Sequence, residues 1–220
     1  MRASVIVFPG SNCDRDVMVA LTQASGKAPN MIWHADTTLP ASDLIVIPGG
    51  FSYGDYLRTG AMAAHSPIMN EVIAQAKKGV RVLGICNGFQ ILCETQLLPG
   101  VLLRNKSLKF VCRHVPMEVA NTDSDFTRAY QKGQVLSIPI AHGDGNYFAD
   151  DATLKRLEDK GQIALRYCDN PNGAARNIAG IFNESRSIMG LMPHPERAAD
   201  PLLGSTDGQG VFKSLVESLA

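Results

Sequence analysis

The chain has 220 residues, 45% of them apolar, with 20 Gly and 12 Pro, enough for one sizeable core and too little for two independent catalytic domains. Lys plus Arg and Asp plus Glu are both 21, giving a formal charge of zero, so no basic excess directs the chain to nucleic acid or a membrane surface. The five cysteines, Cys13, Cys86, Cys93, Cys112 and Cys168, are scattered, odd in number and without the paired spacings of a zinc site. Apolar runs such as Leu44 to Ile47 are too short to cross a bilayer. Met1-Arg2-Ala3 leads straight into a strand-like run with no signal peptide. A cytoplasmic protein with reduced thiols is expected.

Short β-branched runs alternate with segments of helical period. Ser4 to Phe8 reads as a buried strand ending at Pro9-Gly10. Val17, Ala20, Leu21 and Ala24 then share one face of a helix that stops near Gly26. Met31 to His34 and Leu44 to Ile47 are further strands, the second running into the breaker Pro48-Gly49-Gly50. Pro67 opens a helix, with Met69, Val72, Ile73 and Ala76 on one face, that Gly79 closes. Strand Val80 to Ile85 and a helix from Asn87 to about Leu97 follow at once. The stretch from about Val101 to Val119 is strand-rich. Strands near Val135 to Ile140 and Ile163 to Tyr167 flank a helix around Thr153 to Lys160. Strand Ile188 to Met192 leads into Pro193-His194-Pro195-Glu196, and Val211, Leu215 and Leu219 line a last helix. The alternation predicts an α/β fold: one domain, 1–220, with a mostly parallel central sheet, helices on both faces and antiparallel strands added at one edge.

The strongest chemical signal is Gly84-Ile85-Cys86-Asn87-Gly88-Phe89-Gln90, a strand ending on cysteine with glycine two residues to either side and a helix beginning immediately. This is the nucleophile-elbow pattern with a thiol in place of a hydroxyl. It sets the sulfur at the carboxyl edge of the sheet and at a helix N-terminus, where the dipole favours thiolate. The Asn87 N–H is then aimed at a developing oxyanion. A free cysteine is ordinarily a small buried hydrophobe, and Cys13, Cys93, Cys112 and Cys168 are read that way. A thiol also needs a base and a group to orient it. His194-Pro195-Glu196 supplies both, since proline favours an extended residue before it and residues i and i+2 of an extended segment point the same way. Pro48-Gly49-Gly50 reaches the same sheet edge, where the Gly50 N–H could complete an oxyanion hole.

Together, Gly84 to Gln90, Pro48-Gly49-Gly50 and His194-Pro195-Glu196 resemble the class I, triad-type glutamine amidotransferases, which have a flavodoxin-like fold. Four longer stretches narrow the resemblance: Phe8-Pro9-Gly10-Ser11-Asn12-Cys13-Asp14, Gly49 to Arg58, Ile140 to Gly145 and Met192 to Arg197 are similar to the family of glutaminase subunits of phosphoribosylformylglycinamidine synthase. The likeness runs from the first strand to the last helix. It implies Cys86 as nucleophile, His194 as base and acid, and Glu196 as its orienting carboxylate. It also implies Gln90 and the His142 segment in a glutamine pocket, with Asn12, Cys13 and Asp14 as signature residues without an evident chemical role.

No phosphate-binding Gly-rich loop and no carboxylate set for magnesium occurs in this chain. The resemblance therefore implies no cofactor here, and ATP and magnesium on a larger synthetase subunit, in a complex with a small third protein. Arg58 and the nearby tyrosines could face that partner. The rival readings are a stand-alone cysteine hydrolase or thiol sensor, a non-catalytic scaffold, and an amidotransferase serving another acceptor, such as in guanylate or anthranilate synthesis.

Overall fold

Ala3–Val7 (β1) is covered almost completely on both faces, which is why its sequence runs apolar without alternation. The computed structural model describes residues 1–220. After β1 comes Asp14–Ser25 (α1), which buries Val17, Ala20 and Leu21 and is closed by Gly26 in the left-handed region, its N–H donating to the Thr22 carbonyl. Ala24 lies at the exposed flank of that face. Then follow Asn30–Trp33 (β2), Leu44–Ile47 (β3), a short helix Ala61–Ala64 (α2), Pro67–Lys77 (α3), Arg81–Ile85 (β4) and Asn87–Glu94 (α4). The second half contains Val101–Leu103 (β5), Val111–Val119 (β6), Val135–His142 (β7), Asn146–Phe148 (β8), Asp151–Asp159 (α5), Ile163–Tyr167 (β9), Ile178–Phe182 (β10), Ile188–Leu191 (β11) and Gln209–Leu219 (α6).

Nine strands form one sheet in the order β2-β1-β3-β4-β11-β10-β9-β6-β7, and β5 pairs with β8 in a separate ribbon. Five neighbours, β2 through β11, are parallel. From β10 outward the pairs are antiparallel, forming the added edge that the strand-rich middle of the sequence predicts. The crossover from β1 to β2 runs one way across the sheet and that from β3 to β4 the other. Right-handed crossovers therefore put α1 and α3 on opposite faces. The order reverses between β1 and β3, and ligands of open α/β sheets bind beyond the carboxyl ends of the strands at such a point.

Several boundaries differ from the sequence reading. Helix α4 stops at Glu94 rather than near Leu97, because Gln96 adopts a left-handed backbone (φ 59°) just ahead of Pro99. Strand β10 has no signal of its own in the sequence reading: its Gly180 interrupts the pattern, and the register with β9 shifts on both sides of that glycine. A Cβ there would come within 2.9 Å of the Leu191 Cβ, so the close approach of β10 to β11 requires glycine. The helix α2 and the three-residue β8 are too short for a periodic signal.

Helix α4 passes so close beneath β3 that a Cβ on Gly88 would overlap the Ile47 carbonyl. Backbone cannot yield as a flexible side chain does. Gly88→Ala is expected to destabilise the fold by about 3 kcal/mol or more, measured as a lowered midpoint in urea unfolding.

Candidate active site

Every strand of the parallel block releases its chain at one edge. In register, Ile47 of β3 lies beside Gly84 of β4, and Leu191 of β11 beside Ile85. The residues just past them, Gly49-Gly50, Cys86 and Pro193-His194, must therefore meet. The Cys86 N–H makes the last bond of that ladder, donating to the Leu191 carbonyl at 2.7 Å. His194 is anchored from the other side, its N–H donating to the Pro139 carbonyl of β7 at 2.8 Å.

Cys86 turns the chain from β4 into α4 by itself, at φ 51° and ψ −103°, a conformation that costs a non-glycine residue on the order of 1–3 kcal/mol. Its Sγ lies 3.8 Å from the Ala141 carbonyl, inside a cleft between the parallel block and β7. The His194 Nδ1–H donates to Glu196 Oε1 at 2.7 Å, with both side chains almost wholly buried. That bond fixes the tautomer and leaves Nε2 with no other partner. The route to this pair is not the extended one expected. Proline opens a 3-10 turn at Pro195–Ala198, so the carboxylate folds back onto the ring instead of running alongside it.

Burial opposes charge on His194. The Glu196 carboxylate, Cys86 and Cys13 outweigh it and raise the imidazole well above its ordinary value. His142, at the end of β7, behaves oppositely: burial and the nearby His194 lower it to about 3. Its tautomer follows from a chain of donors. The Ala174 N–H donates to Asn172 Oδ1 at 3.1 Å, so Asn172 Nδ2 must donate to His142 Nε2, at 3.0 Å. The proton of His142 thus sits on Nδ1, buried and without a partner.

The two N–H groups expected to form an oxyanion hole both lie at this edge without an acceptor in the chain. Gly50, at φ 149°, lines the cleft with an N–H that makes no hydrogen bond within the chain. The Asn87 N–H begins α4 and lacks an intrahelical acceptor. The Asn87 side chain ties the two segments together: Oδ1 accepts from the Ser52 N–H at 3.3 Å and from the Ser52 hydroxyl, and Nδ2 donates to Gln90 Oε1 at 2.9 Å. Gln90 Nε2 in turn donates to the Asp144 carbonyl at 2.7 Å. Gln90 thereby holds the 142–145 loop as one wall of a cavity of about 330 Å³, whose lining includes Gly50, Asp55, Cys86, Arg104, His142 and Asp144.

Three residues outside the expected set belong to this region. Cys13, read from sequence as a core thiol, is buried but lies against the His194–Glu196 pair: its Sγ and the donor atoms of His194 and Glu196 are all within 4.8 Å of one another. Burial raises its pKa, so it stays a neutral thiol, with His194 pulling the other way. Because His194 Nδ1 and Glu196 Oε1 already bond each other, the cluster is a hydrogen-bonded assembly before it is a metal cage. Ser52 and Asn172 are the other two. The rule that parallel strands end at one edge would have found Cys13, since β1 delivers it there. By contrast, Cys112 and Cys168 are exposed rather than buried hydrophobes, because Cys112 lies on an open stretch of β6 and Cys168 just past β9. Arg58 pairs with Glu94 at 2.5 Å beside the exposed Tyr56, while Tyr53 turns inward to His34 and Ser66.

The depressed His142 makes a signed prediction. An unfolded histidine takes its proton near pH 6.5, and the folded one near 3. Its contribution to stability is intact above 6.5 and drains as pH falls through that window, by up to about 1.4 kcal/mol per unit. Urea unfolding between pH 7 and 4 should show a shallower slope for His142→Gln than for wild type.

The sequence model of the family described as CobB/CobQ-like glutamine amidotransferase domain matches residues 1–210. A Zymomonas mobilis protein named phosphoribosylformylglycinamidine synthase subunit PurQ is 57% identical over 221 residues, with 100% of both chains covered. A Rhizobium johnstonii protein of the same name is 55% identical over 222 residues, again with 100% of both covered. A chain in the structure of PurLQS from Thermotoga maritima superposes at a TM-score of 0.91 with 48% identity, covering 100% of this chain and 99% of its own. A glutamine amidotransferase from Thermotoga maritima, at a TM-score of 0.62 and 18% identity, shares the fold alone. With nearly its whole length accounted for by that family and its relatives, the chain belongs to the CobB/CobQ-like glutamine amidotransferases.

Proposed function

We propose that the chain, as one domain over residues 1–220, is the glutaminase subunit of a phosphoribosylformylglycinamidine synthase. The observation that carries this is that Cys86, at the end of β4, and the hydrogen-bonded His194–Glu196 pair, just past the adjoining β11, share one sheet edge, with Cys86 lining an amino-acid-sized cavity. The end-to-end identity to subunits of that synthase favours it over the other acceptors.

In this reading the Cys86 sulfur attacks the side-chain carboxamide carbon of glutamine, its proton passing to His194 Nε2. The tetrahedral oxyanion is held by the N–H groups of Gly50 and Asn87, each worth about 3 kcal/mol if it acts as such donors do elsewhere. His194 then returns the proton to the departing nitrogen, so the C–N bond breaks as ammonia leaves and a γ-glutamyl thioester remains. Water, deprotonated by the same imidazole, attacks the thioester and releases glutamate and the free thiol. Glu196 keeps the ring oriented and stabilises its charged form, in line with the raised pKa of His194. Gln90 and His142 shape the substrate wall from α4 and β7.

Ammonia is consumed by a partner. In this proposal the partner is a larger synthetase subunit that holds ATP and magnesium, assembled with a small third subunit, all in the cytoplasm. No helix here is long and apolar enough to cross a membrane. The synthetase activates formylglycinamide ribonucleotide, and the ammonia reaches it by an enclosed route.

Two outcomes are expected with the reconstituted complex. Cys86→Ala should lower glutamine-dependent synthesis by about 10⁴-fold or more while synthesis from added ammonia continues. Retained glutamine-dependent turnover in that variant would refute the assignment. The purified chain alone should hydrolyse glutamine slowly and speed up when the synthetase is added, read as glutamate release.

A further inference from the structure

The cavity beside Cys86 must do more than present a thiol, because glutamine is a zwitterion whose charged end lies at the opposite end of the molecule from its carboxamide. Several polar groups in the lining are already committed. The Thr59 hydroxyl donates to Asp144 Oδ2 at 2.7 Å, and the Gln90 amide is engaged at both ends. Two charged groups in the lining have no partner. Asp55 forms no ion pair or side-chain hydrogen bond, and its Oδ1 is buried. Arg104 lines the same cavity, and its guanidinium is bonded to nothing in the chain.

The backbone that delivers Asp55 is unusual. Tyr53, Gly54 and Asp55 take left-handed conformations in succession, at φ 56°, 74° and 53°. Only Gly54 adopts this without strain. Such strain, placed where it turns an unpaired carboxylate toward a cavity, is characteristic of ligand clamps. The charged or titratable groups sharing the cavity with Asp55 are Cys86, Arg104, His142 and Asp144. Burial and the facing Asp144 push Asp55 up to about 6, as for an acid that lacks its cation.

We propose that Asp55, backed by Asp144, seats the α-ammonium group of the amino-acid substrate, and that Arg104 receives its α-carboxylate. The pair would select free glutamine over glutaminyl side chains in peptides, which have neither charge. The proposal rests on the glutaminase reading and specifies how that site chooses its substrate.

The test uses the reconstituted complex with wild type, Asp55→Asn and Arg104→Met, assayed with L-glutamine and with glutaramate, which lacks the α-amino group. Asp55→Asn should raise KM for glutamine by about 10- to 100-fold, with the loss falling on KM more than on kcat. It should leave kcat/KM for glutaramate near that of wild type, since that substrate has no ammonium to lose. Arg104→Met should weaken both substrates, because both have the carboxylate. A wild-type KM for glutamine in Asp55→Asn, or an equal loss on both substrates, would overturn the proposal. Synthesis from added ammonia verifies that each variant is folded and assembled. A wild-type complex inactive on glutamine yet active on ammonia would instead overturn the glutaminase reading beneath it.

Discussion

Between Ile85 and Asn87 the backbone has one residue in which to leave β4 and enter α4. Cys86 accomplishes this at positive φ, and the surroundings follow from the tightness of the turn. The helix must pass directly under the sheet edge, so Gly84 and Gly88 approach until a Cβ on Gly84 would lie 2.7 Å from the Gly88 carbonyl oxygen. The thiol then stands above the sheet at the positive end of α4. Neighbouring strands, held in register, release their own chains beside it. The strain at Cys86 persists because the Leu191 carbonyl and the buried apolar side of α4 hold the residue from both sides.

How charge is arranged follows from this crowding. His194 and Glu196 are both buried, and the carboxylate hydrogen-bonded to the ring raises the imidazole well above its ordinary value in spite of that burial. His194 Nε2 and Glu196 Oε2 remain without partners, a cost that folding alone would not retain. His142, within electrostatic reach of His194, stays neutral, and so does Cys13. Of the two buried imidazoles, His194 therefore has the raised affinity for a proton, and His142 does not compete with it.

Much of this was legible in the sequence, and the limits have physical causes. The parallel strands were visible because burial on both faces makes Leu44–Ile47 and Arg81–Ile85 near-continuous apolar runs. Cys86, His194 and Glu196 could be singled out because Cys86 sits between glycines at a strand–helix joint and His194 and Glu196 are two residues apart. Strand β10 was hidden by Gly180, whose purpose, close approach to β11, exists only in three dimensions. Cys13 was hidden because its role depends on β1 lying next to β3, a fact of topology and not of local pattern. Asp55 and Arg104 are far apart in the chain and carry no spacing signal at all.

Cys86 and His194 are both fastened to the same sheet, Cys86 through β11 and His194 through β7. Bringing the two residues together or apart would mean breaking these backbone bonds, so nothing between them serves as a hinge. The segments resting on these two residues are the left-handed turn at 53–55, the Arg104 to Phe110 arm and the 142–145 loop, which Gln90, Thr59 and Asn105 hold by hydrogen bonds. At the mouth of the cavity the Phe51 and Phe110 rings lie tilted against each other at a centroid distance of 6.2 Å. The architecture thus separates a rigidly anchored sulfur and imidazole from the loops that form the mouth of the cavity.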